Sequence, residues 1–184
     1  MAEAPKARAL LEATFSASPY LAALAQRTPA DLAACLTRDP EAHAREARAA
    51  LAGNVAEAAT SQEVASHLRR FKRRMALLAG LADLGGIWST EGTLHALSAV
   101  ADAVLEQATA YLFRKAREAG QIPSRADAAA PGYFVIAMGK LGAFELNYSS
   151  DIDLIVFYDA DRAGLKPEIE PSTFFARLTR DLVR

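Results

Sequence analysis

The pattern of apolar and polar residues divides the chain into a long helical part and a shorter part that contains strands. Before residue 120, apolar positions recur every three or four residues, which predicts amphipathic helices packed on one another. After residue 132 the pattern changes to two short apolar runs, which predict strands over 133–138 and 152–158. We therefore predict an α+β fold in which an all-helical region precedes an α/β domain.

Local signals place the ends of the predicted helices. Three helices are predicted to begin at a capping residue followed by proline: Ser18-Pro19, Thr28-Pro29 and Asp39-Pro40. We expect Gly53 to end the third of them. Thr60 and Glu63 have capping-box spacing and predict a further helix that ends at Gly85, and a last long helix ends at Gly120. The inward face predicted for this last helix is Leu94, Leu97, Ala101, Val104, Leu105, Ala108 and Leu112.

A change of composition separates the two predicted regions. Residues 121–132 lose the helical periodicity and contain two prolines and a glycine, so we predict a linker there. This gives a helical bundle over 1–120, a linker over 121–132 and the start of a second domain over 133–184. Ser172 is predicted to cap a final helix. No stop signal closes that helix before Arg184, so we expect the chain to be a fragment.

Composition and charge restrict the possible classes of function. Cys35 is the single cysteine, no apolar run approaches the roughly 18 residues of a membrane span, and the N-terminus lacks a signal-peptide core. Lysine and arginine total 21 against 22 aspartate and glutamate, which gives a formal charge of -1. This balance provides no general attraction to nucleic acid or membrane. We predict a cytoplasmic protein that binds neither, so any anion site has to be local.

The segment from residue 135 to 159, VIAMGKLGAFELNYSSDIDLIVFYD, is compatible with two kinds of chemistry. Gly139 and Gly142, with Asp159 at the end of the next strand, partly match a dinucleotide-binding fingerprint. Three observations disfavour that interpretation. Ala137 replaces the first glycine, residues 143–150 are too short for a full crossover helix, and acidic residues enter a strand that should be buried on both faces.

The alternative is a metal-dependent phosphate site. In a strand, Asp151 and Asp153 would point to the same side about 7 Å apart. Two such carboxylates repel each other by roughly 2 kcal/mol at an effective dielectric constant near 20, and a bound divalent cation reverses that sign. The sequence from Gly139 to Gly142 follows the first strand, where its backbone N–H groups and the ammonium of Lys140 could approach a phosphate.

These residues resemble a known family. The order of a strand, Gly139, and then Ser150-Asp151-Ile152-Asp153-Leu154 resembles the nucleotidyltransferase superfamily of the DNA polymerase beta type. The longer string MGKLGAFELNYSSDIDLI is similar to the glutamine synthetase adenylyltransferases in particular. That family implies a helical segment before each of two nucleotidyltransferase domains, and the arrangement here resembles the N-terminal, adenylyl-removing half. The second domain would then be an incomplete nucleotidyltransferase domain.

The resemblance also implies roles for individual residues. Asp151 and Asp153 would be catalytic and bind Mg²⁺. The phosphate and nucleotide would be held by the remaining residues of the motif: Gly139, Lys140, Gly142 and Ser150. Lys140 departs from the wider superfamily, which often has serine at that position. The superfamily also uses a third carboxylate from a later strand, and this sequence offers no candidate for it before Arg184.

The resemblance implies an activity and partners as well. The expected reaction is Mg²⁺-dependent phosphorolysis of adenylyl-tyrosine on adenylylated glutamine synthetase, with release of ADP. Further expected partners are phosphate, ATP or ADP and, through the full-length enzyme, a PII-type signalling protein. The alternative from another functional class is a helical interaction or nucleotide-binding module without catalysis.

Overall fold

A computed structural model describes residues 3–123 and 129–184 of the chain. The first region consists of the helices α1 (Glu3–Ala17), α2 (Pro19–Arg27), α3 (Pro29–Thr37), α4 (Pro40–Glu57), α5 (Ser61–Leu84) and α6 (Thr90–Glu118). The second consists of β1 (Tyr133–Met138), α7 (Gly139–Gly142), β2 (Asp153–Tyr158), α8 (Ala160–Ala163) and α9 (Pro171–Leu182). The predicted α+β fold is confirmed. Within the predicted linker, residues 124–128 lie outside the described part of the chain.

The helix starts follow the capping chemistry of the sequence. The side chains of Ser18 and Asp39 accept hydrogen bonds from the backbone at the starts of α2 and α4. At the start of α5, Thr60 and Glu63 form the predicted reciprocal capping box. Thr28 is the exception, because its hydroxyl donates to the preceding helix instead of capping α3.

Gly53 does not end α4, which contradicts the prediction. The helix continues to Glu57 because Leu51 and Val55 are almost completely buried on the same face, at 3% and 2% exposure. A glycine inside a helix costs only about 1 kcal/mol relative to alanine. Burial of the apolar side chains on both sides of Gly53 therefore outweighs the weak helix propensity of the glycine itself.

Helix α5 is the centre of the helical region and packs against α1, α2, α3, α4 and α6. One core cluster, between α4, α5 and α6, includes Phe71, Met75 and Val100. A second cluster joins α2 to the other side of α5 and includes Leu24 and Leu77. No helix within residues 3–123 and 129–184 is long and apolar enough to cross a membrane.

Helix α6 buries its predicted face only in part. The predicted inward residues are half-buried, and Val104 and Leu112 among them pack against the first core cluster, whose buried members on α6 are Val100, Ala103 and Tyr111. Phe113 and Ala116, near its C-terminus, belong to a separate cluster with the α/β region. Because α6 packs against the helical bundle and the α/β region on different sides, a single apolar stripe does not describe its burial.

The strands β1 and β2 form an antiparallel pair, with Tyr133 opposite Tyr158 and Met138 opposite Asp153. The dinucleotide-binding alternative needs parallel strands joined by a crossover helix, so this pairing excludes it. One side of the sheet packs on α6 and α9 through a cluster that includes Phe113 and Phe175. The last helix begins earlier than predicted, because Glu170 rather than Ser172 is its N-cap.

Candidate functional site

The candidate site lies where β1 ends and β2 begins. The antiparallel register places Met138 opposite Asp153, so Gly139 lies next to the start of β2. Gly139 has a positive φ of 55°, and a Cβ atom built on it would lie 3.4 Å from Oδ2 of Asp153. Glycine therefore allows the backbone turn and leaves space beside the carboxylate.

The two predicted metal ligands are both exposed, but only one belongs to a strand. Strand β2 begins at Asp153, and Asp151 precedes it by two residues outside regular structure. The prediction that both aspartates alternate along one strand is therefore wrong for Asp151. Neither side chain forms a hydrogen bond or salt bridge with another residue in the described ranges. Both carboxylates are accordingly available to a ligand.

The predicted glycine loop forms one helical turn, α7, rather than an irregular loop. Leu141 anchors this turn, because its side chain is 2% exposed. At Gly142 a Cβ atom would lie 2.5 Å from the carbonyl oxygen of Ala137, so a side chain would require the backbone to move. Both glycines of the motif thus have a structural reason, namely a positive φ at Gly139 and a close backbone approach at Gly142.

Lys140, Asn147 and Ser150 form a small polar network beside the aspartates. The ammonium of Lys140 lies 3.5 Å from Oγ of Ser150, at the limit of a hydrogen bond. Ser150 donates in turn to Oδ1 of Asn147 at 2.7 Å. The structure therefore brings Lys140 and Ser150 together, ten residues apart in sequence, directly before Asp151.

Asn147 organises the turn that leads to the aspartates. Its Oδ1 accepts from the backbone N–H of Ser149 at 3.2 Å as well as from the hydroxyl of Ser150. Asparagine bonded to the backbone two residues later is typical of an Asx turn. The sequence Asn-Tyr-Ser-Ser carried that signal.

Tyr148 connects this turn to the helical region. Its hydroxyl donates to Oδ2 of Asp83 on α5 at 3.1 Å. Burial, and then the charge of Asp83, raises the pKa of the Tyr148 phenol above its usual value. The phenol therefore stays neutral, and remains a hydrogen-bond donor, throughout the physiological pH range.

The residues present are compatible with Mg²⁺ when a phosphate ligand completes its coordination. Asp151 and Asp153 offer exposed carboxylate oxygens that have no competing partner in the described part of the chain, and Gly139 leaves open space next to one of them. Mg²⁺ is usually held by one or two carboxylates together with water and substrate phosphates. Within residues 3–123 and 129–184, however, no group of three or more His, Cys, Asp or Glu side chains is placed to hold a metal ion.

Comparison with known proteins identifies the family. The family described as glutamate-ammonia ligase adenylyltransferase matches residues 9–184, so the chain belongs to that family. The chain is 43% identical over 183 residues to a bifunctional glutamine synthetase adenylyltransferase/adenylyl-removing enzyme of Rhodopseudomonas palustris. It is 42% identical to proteins of the same name from Bradyrhizobium diazoefficiens, over 183 residues, and Xanthobacter autotrophicus, over 188 residues.

These alignments cover almost all of this chain but a small part of each relative. They span 98% to 100% of the chain and 18% to 19% of the three relatives. The chain therefore corresponds to about one fifth of the length of the curated relatives it matches, and it contains the helical region and the candidate site described above.

Proposed function

We propose that this chain, as part of a glutamate-ammonia ligase adenylyltransferase, contributes the Mg²⁺-dependent site that removes adenylyl groups from glutamine synthetase. The single observation that carries the proposal is the exposed carboxylate of Asp153 beside Gly139, with Asp151 two residues away and, among the residues that the structure describes, no competing partner for either. The names of the relatives, which include an adenylyl-removing activity, support the choice of reaction.

The proposed reaction is a phosphorolysis. An oxygen of inorganic phosphate forms a bond to the phosphorus of adenylyl-tyrosine, and the bond from that phosphorus to the tyrosine oxygen breaks. The tyrosine oxygen leaves with the bonding electrons and takes up a proton, and the other product is ADP. When bound, Mg²⁺ supplies the positive charge that neutralises the phosphate oxygens.

The residues of the chain have distinct roles in this proposal. Asp151 and Asp153 hold the metal ion, while the backbone around Gly139 lets a phosphate approach closely because no side chain blocks it. The ammonium of Lys140 balances phosphate charge, and the hydroxyl of Ser150 donates to a phosphate oxygen when the ligand replaces Asn147 as its acceptor. Each of these groups is at the surface or half-buried, where a substrate can reach it.

The wider setting is proposed on the same basis. Adenylylated glutamine synthetase, phosphate and ATP or ADP are the proposed partners, and a PII-type signalling protein is proposed to act through an enzyme of the relatives' full length. The cytoplasmic location inferred from the sequence stays a prediction.

A second candidate function is a nucleotide-binding or interaction module without catalysis. The observation that favours it is the donor set, since the described residues supply two carboxylates at the site and no third metal-binding side chain in a group with them. Mg²⁺-dependent binding of ADP without turnover by a protein of the relatives' full length would support this second function.

The test is release of ADP from adenylylated glutamine synthetase in the presence of phosphate and Mg²⁺. In a protein of the relatives' length that contains this chain, we expect Asp151→Asn or Asp153→Asn to reduce the rate at least about a hundredfold, the usual scale for one preorganised electrostatic group. The matched control is Asp102→Asn, an exposed aspartate on α6, which should leave the rate unchanged. Activity that survives Asp153→Asn would contradict the proposed mechanism.

A further inference from the structure

The segment over 143–150, which we call the site loop, links α7 to the aspartates. It contains Ser150 and directly precedes Asp151. Its backbone is strained near the start, because Phe144 has a positive φ of 60° that residues other than glycine rarely adopt. Such a conformation persists only where surrounding contacts enforce it. The contacts that hold this loop therefore matter for the site.

A buried serine of α6 provides the first contact. The side chain of Ser98 is completely buried, and its hydroxyl donates to the carbonyl oxygen of Leu94 at 2.9 Å. The hydroxyl oxygen of Ser98 in turn accepts a hydrogen bond from the backbone N–H of Leu146 in the site loop, at 3.3 Å. Since Leu146 is 7% exposed, its N–H has no ready access to water and depends on this acceptor.

Two further contacts join the loop to the helical region. The ring of Phe144 stacks on His95 of α6, with ring centres 5.8 Å apart and planes inclined by 12°. The hydroxyl of Tyr148 donates to Asp83 of α5. The helices thus contact the site loop near its beginning, its middle and its end.

The anchored loop leads directly into the polar network of the site. Asn147 lies between two of the anchored positions, Leu146 and Tyr148, and its Oδ1 orients the hydroxyl of Ser150. A displacement of the anchors would therefore move Asn147, Ser150 and the segment that carries Asp151. A misplacement of about 1 Å can reduce a rate a hundredfold.

We propose that Ser98, Asp83 and Tyr148 are positioning residues. Through them, the helical region fixes the site loop for ligand binding. This inference rests on the proposed function, because it assigns the loop to the same site. It extends that function to helices that do not carry any of the motif residues. Nothing in the local sequence around Ser98 distinguishes it from a serine that merely bonds to its own helix.

The first measurement is hydrogen exchange of the 184-residue chain. Ser98→Ala removes the acceptor of the Leu146 amide, so exchange at residues 144–150 should accelerate about tenfold, the effect of one lost hydrogen bond of about 1.4 kcal/mol. Exchange in α4 and β1 should stay unchanged. The matched control is Ser66→Ala, since Ser66 is exposed on α5 and should leave the loop unaffected. Unchanged loop exchange in Ser98→Ala would overturn the proposal.

The second measurement is the affinity for ADP with Mg²⁺, determined by titration calorimetry. We expect Ser98→Ala and Asp83→Leu to weaken binding about tenfold. Asp83→Asn should bind like the original chain, because an amide oxygen can still accept from Tyr148. Equal losses in Asp83→Asn and Asp83→Leu would overturn the role of this hydrogen bond in positioning.

The outcomes also separate this inference from the proposed function. A chain that exchanges faster in the loop after Ser98→Ala but binds ADP as before would overturn the positioning role alone. An original chain that does not bind ADP with Mg²⁺ would overturn the proposed ligand chemistry, and the positioning role with it. Faster loop exchange with weaker ADP binding, both absent from Ser66→Ala, would support the proposal.

Discussion

The helical region and the α/β region differ in how completely their apolar residues are buried. In the helical region, the part of α5 from Met75 to Ala82 is enclosed by other helices, and side chains such as Leu77 and Leu78 are at most 1% exposed. In the α/β region, one face of the two-stranded sheet packs on α6 and α9. The other face is uncovered within the described residues. Its apolar members are between 43% and 53% exposed: Phe134, Ile136, Met138, Ile155 and Phe157.

This difference relates to the position of the site. Asp153 is opposite Met138 and alternates with Ile155, so it belongs to the exposed face of the sheet. The closed helical region supplies anchoring contacts, while the open sheet face carries the group that we propose to bind the ligand. Rigid packing on one side and accessible chemistry on the other is the usual division between a scaffold and a site.

The largest expected effect concerns how much each face of the sheet contributes to the free energy of unfolding. Phe113 is completely buried and packs against Tyr133, with ring centres 5.7 Å apart. We expect Phe113→Ala to lower the free energy of unfolding by about 3–5 kcal/mol. Phe157→Ala, on the exposed face, should lower it by less than about 1 kcal/mol. Urea unfolding followed by circular dichroism measures both, and similar losses would show that the outer face is covered in solution.

The next prediction compares a cation from each region. Lys140 is the cation of α7 and lies next to Ser150, whereas Arg73 is exposed on α5. We expect Lys140→Ala to weaken binding of ADP with Mg²⁺ by about 1.5–3 kcal/mol, the contribution of a hydrogen bond to a charged group. Arg73→Ala should leave the affinity unchanged. Equal losses of affinity for the two variants in a calorimetric titration would show that the helical region contributes to the phosphate contact as much as Lys140 does.

A third comparison uses one glycine from each region. A Cβ atom at Gly53 would meet no atom within 4 Å, so Gly53→Ala should stabilise α4 by up to about 1 kcal/mol. A Cβ atom at Gly142 would collide with the backbone of Ala137, so Gly142→Ala should destabilise the chain by about 1–3 kcal/mol. Thermal unfolding distinguishes the two signs. Stabilisation by both substitutions would mean that α7 tolerates a side chain, and that Gly142 is not required by its close backbone approach.

Local features of both regions were predictable from the sequence, because capping and strand formation depend on neighbouring residues. The caps at Ser18, Asp39 and Thr60 are confirmed, as are the two strands within one residue. The predicted end of α4 at Gly53 was wrong, because packing of the neighbouring apolar residues outweighs the low helix propensity of one glycine. The predicted buried face of α6 was right only in part, because that helix contacts two separate clusters.

In the candidate site, too, features that depend on residues close in sequence were easier to predict than contacts between distant residues. The approach of Gly139 to Asp153 follows from antiparallel pairing of strands that are close in sequence, but the pairing direction was not evident beforehand. The contact between Ser98 and Leu146 joins residues 48 positions apart. No periodicity or spacing in a single sequence indicates such a contact, because it depends on how α6 and the site loop pack together.

The smallest expected effect concerns two helix caps that respond to acid. Glu63 caps α5, and its pKa is lowered first by the backbone N–H of Ala59 and then by that of Thr60. Glu170 caps α9, where the hydroxyl of Ser172 and then the backbone N–H of Thr173 lower its pKa to about 2. Both carboxylates are exposed, so solvent screens their contributions to stability.

The sign of the pH dependence follows from these lowered values. The folded state of Glu170 holds its proton less tightly than the unfolded state, whose pKa is about 4.5. The stabilisation of α9 is therefore fully present above pH 4.5 and is lost as the pH falls toward about 2.

Carboxyl titration by NMR should give a midpoint near 2 for Glu170, with the midpoint of Glu63 also below its usual value. Glu170→Gln should remove part of the acid dependence of unfolding, whereas Glu168→Gln, an exposed neighbour outside the cap, should retain it. If the two variants have the same acid profile, the hydrogen bonds at the start of α9 do not form in solution, and the better-capped helix is α5.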